Sequence, residues 1–198
     1  MKLINPNPFT TRPEIVGTFG VVTSTHWIAT AVGMGILERG GNAFDAAVAT
    51  ALTLQVCEPH LCGPGGDVPL ILNAVKRGKT EGIRGQGPIP GLATIGHFKG
   101  LGLDLIPGTG VLPACVPGTF DAYMLLLRDY GTMSISEVMS PAIGYFINGY
   151  PLVERAAANI DAEKAARTAE RMRKGQFDLN DMREQLLREN VQKLTAVL

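Results

Sequence analysis

Apolar positions recur at helical spacing between His26 and Arg39, where Ile28, Ala31, Val32, Met34 and Leu37 mark one helix. Gly33 and Gly35 inside it allow a neighbouring element to come close, and Gly40-Gly41 ends it, since glycine reaches the left-handed conformation that terminates helices. Upstream, Gly17–Ser24 (GTFGVVTS) is predicted as a short strand leading into this helix. Asn42 caps a second helix, and Asp45 stands three positions on, where negative charge meets the positive helix end. From Ala43 to Val56 that helix is apolar on nearly every face, broken mainly by Thr50, Thr53 and Gln55, so it is buried on several sides. Pro59 closes it.

Gly63-Pro64-Gly65-Gly66 then forms a loop. Val68–Val75 is predicted as a strand, Arg77-Gly78-Lys79 as a hairpin turn and Thr80–Arg84 as the returning strand. A loop-rich stretch runs to Pro117, and a helix follows over Gly118–Asp129. Ser134 caps a further segment that Pro141 is expected to break or restart. Hairpin strands interleaved with strongly buried helices define an α+β chain, with helices layered on an antiparallel or mixed sheet.

Composition changes this picture in one place. Residues 1–160 hold 21 charged residues and 23 of the 24 glycines, whereas residues 161–198 hold 15 charges, one glycine and no proline. The seam separates a 1–160 domain from a charged helical tail over 161–198, in which Leu179, Met182, Leu186, Leu187, Val191, Leu194 and Leu198 follow spacings of three and four. Overall, 45% hydrophobic residues with 18% charged exclude a disordered chain, and a net charge of zero gives no reason to expect nucleic acid or an anionic membrane as partner. The first residues lack the apolar core of a signal peptide and no window is apolar for about 18 residues, so a soluble, cytoplasmic protein is expected. Three cysteines, Cys57, Cys62 and Cys115, fit reduced thiols better than a disulfide framework.

Three local signals combine into a family resemblance. The segment Val21-Val22-Thr23-Ser24-Thr25-His26 leads through Ala29-Thr30 into Leu37-Glu38-Arg39-Gly40-Gly41-Asn42-Ala43-Phe44-Asp45-Ala46-Ala47; Glu58-Pro59-His60 and a glycine loop follow, and then Val116-Pro117-Gly118. Over about residues 15–157 this order resembles the amino-terminal part of the gamma-glutamyltransferase (gamma-glutamyl transpeptidase) family. The resemblance implies part of an N-terminal nucleophile hydrolase, an αββα fold in which helices cover two stacked sheets. It also implies a precursor that cleaves itself to expose a threonine, whose hydroxyl attacks the gamma-amide of glutathione or a related donor while its own α-amine takes the proton. No stretch after residue 118 resembles that cleavage site, so the catalytic residue is expected on a second, small-subunit-like chain. Thr25-His26 matches the family's early strand and helix and is expected to cap the helix rather than to react.

One substrate contact carries over. Arg84, four residues before Pro88, resembles the family arginine that binds the donor's α-carboxylate, a task for which a planar fork suits better than a lysine. Gly85 and Gly87 stand where bulkier residues often occur, which implies a different pocket shape; the competing reading is an arginine paired with a local carboxylate. The loop after His60 also departs from the family, with Leu61, Cys62, Pro64 and Asp67 in place of small hydroxyl residues and a longer glycine run. It lacks the lysine and helix start of a phosphate cradle. Cys57, His60 and Cys62 lack a fourth metal ligand, and His26, His60 and His97 have no nucleophile-elbow sequence beside them, so neither a metal, another cofactor nor a cysteine or serine hydrolase is expected. The stretch Ala165–Leu186 resembles the start of the methionine-rich domain of the signal recognition particle GTPase, without the groove or RNA-binding helices that would give it a role. Two functions follow: part of a gamma-glutamyltransferase-like enzyme that contributes Arg84, or a non-catalytic assembly or binding protein that forms homo-oligomers through its terminal helices.

Overall fold

The computed structural model describes residues 15–108 and 110–173. The chain forms two compact units, Met1–Tyr150 and Pro151–Leu198. In the first, α1 (Trp27–Glu38) and α2 (Ala43–Cys57) precede a hairpin of β1 (Pro69–Ala74) and β2 (Lys79–Arg84), then α3 (Ile95–Gly100), α4 (Thr119–Tyr130) and α5 (Ile135–Asn148). The described part of the second unit holds α6 (Glu154–Arg173), which crosses residue 160 without interruption. The amphipathic stripe expected over Leu179–Leu198 lies outside the described residues.

Local chemistry explains the two leading helices. His26 is the N-cap of α1, its Nδ1 accepting from the Ile28 N–H at 3.2 Å. At the other end Gly40, at φ 91°, lets its own N–H reach Leu37 O and the Gly41 N–H reach Ile36 O, both at 3.0 Å, a glycine-dependent helix stop. Asn42 and Asp45 form a reciprocal capping box at the start of α2. Asp45 is fully buried, and beyond the Asn42 N–H its carboxylate accepts from the Thr132 N–H at 3.0 Å, the Thr132 hydroxyl at 2.7 Å and the Met133 N–H at 3.3 Å. The Asn42 amide donates to Tyr130 O at 2.7 Å. The first turn of α2 is thereby fixed to the α4–α5 turn.

The core gathers Ile36, Val48, Leu52, Leu72, Leu126 and Val138 from α1, α2, β1, α4 and α5. Gly33 is where α1 and α2 meet, since a Cβ there would stand 2.1 Å from Thr50 Oγ1. Gly35 has no such role: its Cβ would meet only the tip of Arg39, the residue that ends α1. The hairpin pairs Pro69 with Arg84 through Ala74 with Lys79, turning at Gly78 (φ 64°). Leu72 and Ala74 face the core, while Ile71 on the opposite face is 86% exposed. Tyr130 holds the hairpin to α4, donating to Glu81 at 2.9 Å while the Arg77 guanidinium lies over its ring. Hydrogen bonds from Lys79 and Tyr130 hold the Glu81 carboxyl below its ordinary range.

Three sequence expectations are corrected here. Gly17–Ser24 has no paired strand, because among the described residues no other strand lies beside it. The stretch before Pro117 contains α3, started by Thr94 capping the His97 N–H; six residues with Phe98 alone buried are too few to show periodicity. Pro141 leaves α5 continuous: burial of Val138 and Ala142 in the core with α2 outweighs the one ladder bond that proline removes.

Replacing Asp45 by alanine removes a fully buried acceptor from the Asn42, Thr132 and Met133 N–H groups and the Thr132 hydroxyl, and is expected to cost about 2–3 kcal/mol. Urea unfolding followed by circular dichroism checks this, and a loss below about 1 kcal/mol, the size of an ordinary cap, contradicts the assigned role.

Candidate functional site

Three segments converge at the end of β2. The ladder continues one residue past Arg84, through Gly85 N–H to Val68 O at 2.8 Å and Val68 N–H to Gly85 O at 3.2 Å. Asp67, at the end of the glycine loop, accepts from the Gln86 amide at 3.2 Å. The Val116 N–H donates to Pro88 O at 3.0 Å, so the segment before α4 crosses directly over residues 85–88. Glycines make the crossing possible. A Cβ on Gly87 would lie 1.3 Å from Val116 O, one on Gly85 2.6 Å from Val68 O, and one on Gly118 2.6 Å from Gly85 O. The small residues on either side of Gln86, read from the sequence as a change of pocket shape, are required by this backbone contact.

Arg84 is exposed and lies on the same open hairpin face as Pro69 and Ile71. Among the described residues its guanidinium has no ion-pair or hydrogen-bond partner: Glu81 lies on the opposite hairpin face with Lys79 at 2.8 Å, and Asp67 is engaged with Gln86. The alternative of an arginine tied to a local carboxylate is therefore not realised. An unengaged fork at a rigid strand end suits an external carboxylate.

The other candidates lie apart from Arg84 in role. Thr25 donates its hydroxyl to Glu58, and His26 caps α1. His26 is only half satisfied, since its Nε2 is buried without a partner, as are Nδ1 of His60 and Oγ1 of Thr119. Cys57 is buried at the end of α2, and Cys62 and Cys115 are exposed. Burial first, and the Glu58 charge second, push the Cys57 and Cys62 thiols up, away from the thiolate a nucleophile requires. His97 is an exposed residue of α3. No group of three or more His, Cys, Asp or Glu among the described residues is arranged to hold a metal. Nothing in the sequence marks Thr119 beyond its place directly after Val116-Pro117-Gly118, yet its hydroxyl faces the glycine loop 3.8 Å from where a Gly66 Cβ would sit.

The family model Gamma-glutamyltranspeptidase matches residues 29–191. The chain belongs to the gamma-glutamyltranspeptidase family. It is 37% identical over 140 residues to the glutathione hydrolase-like YwrD proenzyme of Bacillus subtilis, a match over 70% of this chain and 26% of that protein. It is 35% identical over 141 residues to the Escherichia coli glutathione hydrolase proenzyme, across 66% of this chain and 23% of the relative. Among solved structures, LmbA2991T421A superposes with a TM-score of 0.71 at 56% identity, covering 74% of this chain and 25% of that one. The cephalosporin acylase from Bacillus halodurans gives a TM-score of 0.71 at 32% identity, covering 90% and 32%. The fold is thus part of the N-terminal nucleophile hydrolase architecture, and the chain spans about a quarter of the length of the curated relatives it matches. The family match extends well past residue 157 and over most of the tail. The comparisons give no support to the signal recognition particle resemblance there; charged amphipathic helices share such short patterns widely.

Because Gly87 is overlain by backbone, Gly87→Ala is expected to destabilise by more than about 2 kcal/mol, whereas Gly91→Ala, which meets open space, leaves the melting temperature within a degree or two. Equal melting temperatures for the two variants would contradict the crossing.

Proposed function

We propose that this chain is a portion of the larger part of a gamma-glutamyltransferase-like enzyme, and that Arg84 binds the α-carboxylate of a gamma-glutamyl donor such as glutathione. The observation that carries the assignment is the guanidinium of Arg84, without a partner among the described residues, on an exposed hairpin face at a strand end stiffened by the Gly85–Val68 bonds. Two parallel hydrogen bonds from the guanidinium fix both the position and the direction of a carboxylate, which aims the gamma-amide at a nucleophile held elsewhere.

In this reading the nucleophile is a threonine on family polypeptide outside the span of this chain. Its hydroxyl oxygen bonds to the gamma-carbonyl carbon, its proton passes through the threonine's own α-amine to the departing amine, and a gamma-glutamyl ester remains. Water, or the amine of an amino acid or peptide, then takes the acyl group and returns the hydroxyl. The residues described here contribute the carboxylate contact and the scaffold. Thr25 gives its hydroxyl to Glu58 directly before α1, which supports a scaffold role for it rather than the nucleophile's. No helix among the described residues is long and apolar enough to cross a membrane, and three free cysteines suit a reducing compartment such as the cytoplasm.

The purified 198-residue chain is expected to release no anilide from a gamma-glutamyl anilide; turnover that disappears in Thr25→Ala would overturn this reading. In an enzyme reconstituted with the missing polypeptide, Arg84→Lys is expected to raise the donor KM about tenfold or more, roughly 1.4 kcal/mol, with little change in kcat. A donor dependence equal to that of the wild type would remove Arg84 from the site.

A further inference from the structure

The hairpin ladder runs past the ends of its two strands. Val68 and Gly85 exchange both backbone hydrogen bonds, at 2.8 and 3.2 Å, so Asp67 and Gln86 form the next facing pair, and the bond from the Gln86 amide to Asp67 Oδ2 at 3.2 Å joins them. Parity then decides their face. Successive side chains of a strand point to opposite sides, so Asp67 and Gln86 share the outward face with Pro69 and Arg84, while Val68 and Gly85 turn inward. Burial agrees: Asp67, Pro69, Arg84 and Gln86 are exposed and Gly85 is buried. A carboxylate and a guanidinium thus stand on one surface, at diagonal positions that an antiparallel ladder spaces roughly 7–8 Å apart.

The two charges are not joined. Among the described residues the ion pairs are those of Glu81 with Arg77 and Lys79 and of Arg128 with Asp129, and neither Arg84 nor Asp67 takes part in one. Asp67 gives Oδ2 to Gln86, and its Oδ1 accepts from no described residue. The backbone between them is closely held, because Gly85 lies against Val68 and Gly87 beneath Val116, so the Gln86 amide orients Asp67 from a fixed position. The family resemblance gives Arg84 a role and Asp67 none.

We propose that Asp67, oriented by Gln86, binds the α-ammonium of the gamma-glutamyl donor whose α-carboxylate Arg84 holds, and so makes this surface selective for donors that carry both charges. An amino acid presents its carboxylate and its ammonium on one carbon, and a guanidinium and a carboxylate on one face match them sign for sign. Oδ1 of Asp67 accepts from the ammonium while Oδ2 stays with Gln86, which makes Asp67 the specificity-determining residue and Gln86 a positioning residue. A glutaryl donor, with hydrogen in place of the α-amine, satisfies Arg84 and offers Asp67 nothing. The inference rests on the carboxylate role given to Arg84 under Proposed function, and it names the group that reads the neighbouring charge.

The test co-expresses the full 198-residue chain with the portion of LmbA2991 outside the matched quarter and compares a gamma-glutamyl anilide with the glutaryl anilide that differs from it only in the α-amine. The wild type should favour the gamma-glutamyl donor by about tenfold or more in kcat/KM. Asp67→Asn, at an exposed position, should keep the circular dichroism spectrum of the wild type, lower kcat/KM for the gamma-glutamyl donor about tenfold or more and leave the glutaryl donor within about twofold. Arg84→Lys should weaken both donors alike, since both carry the carboxylate. Equal losses on the two donors in Asp67→Asn, no loss on either, or a wild type without preference overturns this inference, and the functional reading stands as long as Arg84→Lys weakens both. Unchanged dependence on both donors in Arg84→Lys removes the carboxylate contact and this inference with it. Turnover of neither donor by the wild type overturns the functional reading and this inference together.

Discussion

A carboxylate without water contact governs the arrangement of the first unit. Asp45 sits at the third position of α2, and its two oxygens accept from its own helix start and from the Thr132–Met133 turn, 87 and 88 residues away in sequence. A carboxyl group at zero exposure needs hydrogen-bond donors around it, and here backbone N–H groups and one hydroxyl supply them. The contact leaves little freedom nearby. A Cβ on Gly131 would stand 2.8 Å from Asp45 Oδ1, and one on Gly41 would strike Met133 Sδ at 2.6 Å, so the turn is glycine-bounded on both sides. With α2 fixed there at its first turn, its apolar surface presents one side to α1, one to α5 and one to α4.

The same node reaches the candidate site through Tyr130. Its carbonyl receives the Asn42 amide, its ring packs on Phe44, and its hydroxyl donates to Glu81 on β2. The hairpin is therefore held at its turn end by α4's last residue and at its other end by the glycine crossing beneath Val116 and Gly118. Arg84 lies at that second end. Register then decides which way it faces: pairs that include Leu72 and Ala74 look inward, so Pro69, Ile71 and Arg84 look outward. The position of the guanidinium is a consequence of strand parity and of two clamps, and none of these involves the arginine itself.

Much of this was legible in the sequence because it depends on neighbours a few residues apart. The Asn42–Asp45 box, the Gly40-Gly41 stop, the hairpin and Ser134 as a cap are local chemistry, and each stands within a residue or two of its expected place. What the sequence concealed is long-range. Asp45 reads as an acid at a helix start; nothing near it in the chain announces Thr132. Gly85, Gly87 and Gly118 read as turn residues, and their need for backbone overlap is visible only when residue 116 lies across residue 87. Pro141 was expected to break α5 because an isolated helix would break, and the core supplies what the local sequence withholds. The Gly17–Ser24 expectation failed differently, since Gly20–Ser24 has strand periodicity but no paired neighbour among the described residues.

That last difference bears on the fold as a whole. A two-stranded sheet is marginal unless helices or further strands cover it, and among the described residues helices cover one face alone. On the other, Ile71 is 86% exposed among the polar Asn73, Thr80 and Arg84. Buried polar atoms without partners at His26, His60 and Thr119 point the same way, because native folds leave few such groups. Among the described residues these features share one physical setting: the helices and glycine contacts cover a single face of the hairpin and leave the other to solvent.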